Sequence, residues 1–141
     1  MIRHAEAHWS GPVTTGTGHV KVETGALDSP YSFKSRFEGG GETNPEELLG
    51  AAHAACFSMA LSAVLTGAGH PPSNIDTKAS VHILPSGGGF SITKIELMTV
   101  GEVPGIDDAA FQKHAADAKA NCPLSKALAA VPDIHLTATL K

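Results

Sequence analysis

The stretch from Asn44 to Leu65 constrains the fold more than any other part of the chain. It begins as helices begin, with Asn44 suited to the N-cap, Pro45 to the first helical position, and Glu47 to a capping box. The residues that follow are apolar on every side of a helical wheel, and a helix of that kind is buried. The sequence therefore predicts a buried central helix that ends near residues 67–72.

A membrane span is the alternative for this helix, because Leu48 to Leu65 contains no formally charged residue. That length is only marginal for crossing a bilayer. The stretch is rich in alanine rather than leucine, it carries His53, and its start has glutamates instead of Lys or Arg. The core helix of a globular protein is therefore favoured.

The overall composition limits the classes of function. At 141 residues we expect a single domain, 1–141, with room for a core. A net charge of −4 without a basic stripe argues against nucleic acid as a partner. Two cysteines without a visible signal peptide indicate a reducing, cytoplasmic location, where a disulfide is transient or catalytic. The eight histidines show no metal-ligand spacing, so neither a metal nor a cofactor is expected.

Alternation of apolar and polar residues predicts strands on both sides of the central helix. The predicted strands cover residues 2–9, 18–23, 31–37, 75–84, 90–103 and 133–140, with a turn at 26–30. Two further helices are predicted, from Asp107 or Asp108 to about Ala120, and a short one that restarts at Asn121-Cys122-Pro123 and runs to Ala129 or Ala130. This order predicts an α+β fold in which antiparallel sheets are segregated from the helices.

The two cysteines lie in different settings. Cys56 lies inside the apolar helix, where a cysteine is most often a small core residue with a raised pKa. A reactive thiolate at Cys56 needs a nearby cation. Cys122 precedes Pro123 at the start of a predicted helix, where exposed amides favour a thiolate. Together they favour a redox pair, and the lack of a CxxC spacing argues against a thioredoxin-like motif or a zinc site.

Arg36 and Glu46 are the candidates for that cation and its support. An arginine fork held by a carboxylate could lie beside a thiolate and bind a substrate oxygen. The alternative is a surface ion pair of little effect. On one straight helix Glu46 and Cys56 lie about 15 Å apart, at ~1.5 Å per residue. A shared site therefore needs a break near Gly50, or a Glu46 supplied by another chain.

His53 is a weaker candidate, three residues before Cys56 on the same helix face. This spacing permits a Cys–His couple. A hydrogen-bonded structural histidine is the commoner outcome, and the sequence leaves both interpretations open.

Three segments carry a family likeness. They are Arg36 to Gly39, the longer Thr43 to Ser62 (TNPEELLGAAHAACFSMALS), and Cys122 to Ser125. Together they resemble the OsmC/Ohr family, the osmotically inducible protein C and organic hydroperoxide resistance proteins. The likeness extends over nearly the whole chain, and the first two segments resemble the OsmC branch.

The resemblance implies an intertwined homodimer and a thiol-dependent peroxidase active in oxidative and osmotic stress defence. Position by position, Cys56 matches the peroxidatic cysteine, Cys122 the resolving one, and Arg36 and Glu46 the pair that supports the thiolate. It also implies organic hydroperoxides and hydrogen peroxide as substrates, and an external dithiol reductant of the lipoyl type or similar. A redox-sensing or ligand-binding dimer with little turnover remains the alternative.

Overall fold

The structure is a computed structural model that describes residues 1–141. It divides into two compact units, the first unit from Met1 to Leu48 and the second unit from Leu49 to Lys141. The first unit holds a three-stranded antiparallel sheet in the order β1-β2-β3. These strands are β1 (Ala5–Ser10), β2 (Thr17–Val22) and β3 (Asp28–Tyr31), followed by the short helix α1 (Phe33–Phe37).

The aromatic side chains of Trp9 and Tyr31 pack over the first sheet, with ring centroids 5.4 Å apart. They enclose Gly18 on β2, where an added Cβ would lie 2.5 Å from the Tyr31 ring. No other residue than glycine therefore fits this position without displacing the rings. The close approach fixes one wall of a cavity described below.

The predicted strand over residues 31–37 is wrong, because the extended chain ends at Tyr31 and α1 begins at Phe33. Ser32 is the N-cap of α1, and its hydroxyl accepts a hydrogen bond from the Ser35 amide at 3.1 Å. The Ser35 hydroxyl accepts in turn from the Ser32 amide at 2.9 Å, which closes a capping box. The predicted turn at 26–30 is also displaced, since β3 already begins at Asp28.

The central helix α2 (Pro45–Gly67) runs without interruption through Gly50, so the structure contains no break there. Its predicted N-cap is confirmed: the Glu47 amide donates to Asn44 Oδ1 at 2.8 Å. The Glu47 carboxylate, for which a capping box was predicted, accepts a hydrogen bond from the Thr43 hydroxyl at 3.2 Å. The N-cap at Asn44 is therefore as predicted, whereas the predicted capping box is wrong, because the carboxylate pairs with Thr43 instead of the Asn44 amide.

The second unit contains most of α2 and a second three-stranded sheet in the order β4-β5-β6. Its remaining elements are β4 (Asn74–Ser86), β5 (Gly89–Glu102), α3 (Asp108–Asn121), α4 (Pro123–Ala127) and β6 (Asp133–Leu140). The predicted hairpin of β4 and β5 is confirmed, whereas β6 pairs parallel to β5. Parallel pairing requires a long crossover, and α3 and α4 supply it.

The core of the second unit lies among α2, α3 and β5. Its fully buried side chains include Phe57, Leu61, Leu65, Ile95, Leu97, Phe111 and Cys122. Within the single chain α2 buries one side. The opposite side exposes Ala51, Ala55, Met59 and Ala63, and Met59 is 76% exposed.

By length and composition alone, α2 is apolar enough to cross a membrane. The core helix of a soluble protein meets the same criteria, so this is weak evidence for a span. One side of α2, with Phe57, Leu61 and Leu65, is fully buried in the core of the second unit, as expected for the core helix of a globular protein.

Candidate active site

The two cysteines meet in the second unit. Cys56 projects from α2, Cys122 lies between α3 and α4, and their Sγ atoms are 3.3 Å apart. Both are free thiols; Cys122 is fully buried and Cys56 half-buried. The structure thus brings together two predicted residues that lie 66 positions apart in the sequence.

The backbone around Cys122 explains how its sulfur is held. The Cys122 amide donates to the Ala118 carbonyl at 2.8 Å and ends α3, while its own carbonyl accepts from the Lys126 amide at 3.0 Å. Pro123 then occupies the first position of α4, as the sequence predicts. Because Cys122 is both the C-cap of α3 and the N-cap of α4, its backbone is fixed between the two helices.

Hydrogen-bond donors favour ionisation of Cys122. Burial acts to raise its pKa, but the Ser125 amide, the Cys56 thiol, the Ser125 hydroxyl and the Leu124 amide together outweigh it. The pKa of Cys122 therefore lies below that of an ordinary thiol.

The pKa of Cys56 is shifted in the opposite direction, above that of an ordinary thiol. Burial raises the pKa of Cys56, the Leu124 amide opposes this, and the neighbouring Cys122 raises it further. Within the second unit the first thiolate therefore forms at Cys122, and a thiolate at Cys56 needs an additional positive charge.

Arg36 and Glu46 form a forked ion pair in the first unit. Arg36 Nε lies 3.2 and 3.1 Å from the two carboxylate oxygens of Glu46, and Nη2 lies 2.7 Å from Oε1. The hydrogen bonds with Glu46 raise the pKa of Arg36. Glu46 is nearly buried, whereas the arginine side chain is 38% exposed. The carboxylate thus orients the guanidinium, whose Nη1 remains for another acceptor.

An aromatic cavity of about 490 Å³ adjoins the guanidinium. Its lining includes Trp9, Tyr31, Phe33 and Phe37 together with Arg36. Phe33 and Phe37 lie with centroids 4.8 Å apart, and Arg36 Cζ lies 5.1 Å from the centre of the Phe37 ring. The alternating positions of Tyr31, Phe33 and Phe37 predict one face of a strand, so this cavity could not be predicted from the sequence.

His53 is fully buried and hydrogen-bonds to Ser125, with His53 Nε2 and Ser125 Oγ 2.9 Å apart. Burial lowers the pKa of His53, so the imidazole is neutral near pH 7. Ser125 was not among the candidate residues. The only signal for it in the sequence was its place three residues after Cys122.

Comparison with known proteins decides the family. A family model described as OsmC-like protein matches residues 38–137. The chain belongs to the OsmC family. It is 51% identical over 129 residues to peroxiredoxin OsmC of Escherichia coli (strain K12), covering 91% of this chain and 90% of that protein. It is 39% identical over 115 residues to an organic hydroperoxide resistance protein of Xanthomonas axonopodis pv. citri, covering 79% of each.

Solved structures agree with this assignment. An organic hydroperoxide resistance protein OsmC from Legionella pneumophila superposes with a TM-score of 0.75 at 26% identity, covering 99% of this chain and 97% of that one. OhrB of Bacillus subtilis gives a TM-score of 0.71 at 26% identity, covering 98% of each chain. The predicted OsmC/Ohr-like α+β fold is confirmed, and the greater identity to an OsmC protein agrees with the predicted branch.

Proposed function

We propose that this OsmC-family peroxidase reduces hydroperoxides with Cys56 as the peroxidatic cysteine and Cys122 as the resolving one. The observation that carries the proposal is the 3.3 Å approach of two free thiols. Relatives named for peroxiredoxin and for organic hydroperoxide resistance support a role in hydroperoxide defence.

In the first step the Cys56 thiolate attacks the terminal oxygen of ROOH. The O–O bond breaks, the sulfur gains the oxygen as a sulfenic acid, and the alkoxide leaves as alcohol after taking up a proton. The Arg36 guanidinium, oriented by Glu46, stabilises both the thiolate and the developing alkoxide. Arg36 would thus supply the positive charge that Cys56 does not find among the residues of the second unit.

In the second step Cys122 attacks the sulfur of the Cys56 sulfenic acid, which forms a disulfide and releases water. The short distance between the sulfurs supports a direct attack. An external dithiol of the lipoyl type or similar then reduces the disulfide by two thiol–disulfide exchanges. The chain has only two cysteines, so the reducing equivalents come from outside it.

The active protein is a cytoplasmic homodimer, each chain forming one OsmC-like domain over residues 1–141. The exposed apolar side of α2, which includes Ala55 and Met59, supports burial against a second copy. A site shared within one chain was expected to need a break near Gly50, and α2 has none. This supports an Arg36–Glu46 pair supplied by the partner chain.

The preferred substrates are organic hydroperoxides, with hydrogen peroxide also accepted. The aromatic cavity beside Arg36 supports this preference, because its walls suit an apolar substituent on the peroxide.

The test is peroxide consumption by the reduced protein, with cumene hydroperoxide or hydrogen peroxide and either dithiothreitol or dihydrolipoamide. We expect Cys56→Ser to abolish turnover and Cys122→Ser to accumulate over-oxidised Cys56. Turnover that survives in Cys56→Ser would overturn the proposal. Clean disulfide formation without turnover with any dithiol would instead favour the redox sensor.

A further inference from the structure

A groove of about 620 Å³ lies in the second unit between β6 and the helices α3 and α4. Small exposed side chains line much of it, namely those of Ala116, Ala120 and Ala129. Neither cysteine lines the groove, so the two-step cycle above gives it no role. No residue of α2 lines it either, so the groove is separate from the helix side assigned to the dimer.

β6 presents an open edge to this groove. The sheet has the order β4-β5-β6, so one side of β6 pairs with β5 and the other side has no strand beside it. From α3, the Gln112 side chain donates to the Ala138 carbonyl at 2.8 Å on that open side. Backbone groups of successive strand residues point to opposite sides. The N–H and C=O groups of Ile134 and Leu136, which both line the groove, therefore point the same way as those of Ala138.

The open part of this edge is short and has defined ends. Gln112 occupies the Ala138 carbonyl at one end, and Pro132, which has no N–H, precedes the strand at the other. Between these ends the outward groups of Ile134 and Leu136 have no partner within the chain. An unpaired strand edge of this kind is a template for pairing with another extended chain.

The charges around the groove indicate which kind of chain fits. Lys119 and Lys126 line it, and neither forms an ion pair within the chain. No aspartate or glutamate lines the groove, although the protein has a net charge of −4. The groove is thus a positive region on an acidic protein, complementary to a negatively charged segment. A second β6 would bring the lysines of two grooves together, which disfavours self-pairing.

We propose that the groove binds an extended acidic segment of a partner protein, which adds to the sheet as a strand beside β6. Main-chain hydrogen bonds to Ile134 and Leu136 hold this segment in place. Its carboxylates pair with Lys119 and Lys126, and the small alanine side chains leave room for its inward-facing residues. The interaction uses neither cysteine, so it is independent of the proposed peroxidase cycle.

The first experiment measures the fluorescence anisotropy of a labelled six-residue peptide, titrated with the full-length reduced protein at low ionic strength. The peptide alternates glutamate and valine and has blocked ends. We expect saturable binding that weakens as salt is added. A peptide with lysine in place of glutamate should bind about tenfold more weakly, because its charges repel those of the groove. The acidic peptide with every amide N-methylated keeps its charge, cannot donate to β6, and should not bind.

Charge-reversal variants test the two lysines. Lys119→Glu and Lys126→Glu should each weaken binding of the acidic peptide about 3- to 10-fold, since an exposed attraction becomes a repulsion. Lys113→Glu is the matched control, exposed on α3 but outside the groove. Ala129→Phe fills the groove without changing the charge and should abolish binding. Circular dichroism checks that each variant folds.

Amide hydrogen exchange followed by NMR reports strand addition directly. His135 and Thr137 point their amides toward β5, so the amides of Ile134 and Leu136 should exchange faster in the free protein. The acidic peptide should slow exchange at Ile134 and Leu136 alone.

Several results would overturn the inference: no saturable binding, equal binding of the N-methylated peptide, an equal loss in Lys113→Glu, or protection that does not alternate along β6. Self-association of the protein that disappears in Ala129→Phe would also overturn it, because a second copy would then occupy the groove. Peroxide consumption is measured separately, so failure of the proposed function and failure of this inference are distinguishable.

Discussion

The thiol pair of the second unit and the ion pair of the first unit are built from different kinds of charge stabilisation. The pKa values of Cys56 and Cys122 are shifted by burial and by neutral donors, namely amides, a thiol and one hydroxyl. Arg36 and Glu46 carry full charges, with a nearly buried carboxylate that holds a partly exposed guanidinium. Neither pair contains both a sulfur nucleophile and a cation.

The difference shows what each kind of donor can do. Neutral hydrogen bonds contribute about 0.5–1.5 kcal/mol each, which is enough to decide which of two adjacent thiols ionises first. They favour Cys122 here. Making Cys56 the thiolate requires reversing that order, and an adjacent positive charge shifts a pKa by more than a neutral donor does. The proposed function therefore requires that the two pairs meet in the proposed dimer.

The largest effect is expected from removing the cation. Arg36→Ala should lower the rate of Cys56 oxidation by cumene hydroperoxide about 10²- to 10³-fold, the range for loss of a donor that stabilises a developing anion. The rate of Arg36→Lys should lie between those of the wild type and Arg36→Ala, because an ammonium keeps the charge but loses the forked pair of hydrogen bonds. Stopped-flow measurement of sulfenic acid formation gives the rate constants.

Lys34→Ala is the matched control for that substitution. Lys34 is an exposed cation on the same short helix, so its loss changes the net charge equally. An equal loss of rate in Lys34→Ala would mean that the field of the whole protein, rather than the oriented guanidinium, accelerates the reaction.

A smaller effect is expected from weakening the support of the arginine. Glu46→Gln keeps the shape of the side chain and one acceptor oxygen but loses the charge that holds the fork. We expect roughly a tenfold lower rate of Cys56 oxidation, since a charge-assisted bidentate contact is about twice as strong as a neutral one. Glu47→Gln, at the adjacent position, is the control. A wild-type rate in Glu46→Gln would show that the arginine is oriented by other contacts.

The smallest effect concerns stability. Burial lowers the pKa of His53 in the folded chain, so the unfolded chain binds the proton first as the pH falls. The free energy of unfolding should therefore decrease below the unfolded pKa of about 6.5, with a slope of at most about 1.4 kcal/mol per pH unit from this residue. Urea denaturation between pH 5 and 8 measures it.

His53→Gln should flatten that part of the pH dependence, because glutamine does not titrate. His8→Gln, at an exposed position on β1, is the matched control. If both variants keep the wild-type slope, another group is responsible for the loss of stability at low pH.

The sequence predicted much of this architecture because the decisive signals are local. The cap at Asn44, the β4–β5 hairpin and the final strand β6 all lie where periodicity and turn residues predict them. The short helix α1 was missed because one reciprocal pair of serine hydrogen bonds outweighed an alternating pattern.

The parallel pairing of β6 and the hydrogen bond between His53 and Ser125 could not have been predicted. Each depends on segments far apart in the chain, and the two partners of the hydrogen bond are separated by 72 positions. Residue types and spacing indicated which cysteines and charges to consider. Which serine reaches which histidine follows only from tertiary packing.

The separation of 66 positions between Cys56 and Cys122 would also make the thermal stability of the protein depend on the redox state of these two cysteines. A disulfide there would close a long loop and remove conformational entropy from the unfolded chain, a gain of about 4 kcal/mol in the chain-entropy model. After each molecule of peroxide is reduced, the protein would remain in the disulfide form, which has the higher melting temperature, until a dithiol reduces it. A melting curve of freshly isolated protein would thus report how much of it carries the disulfide.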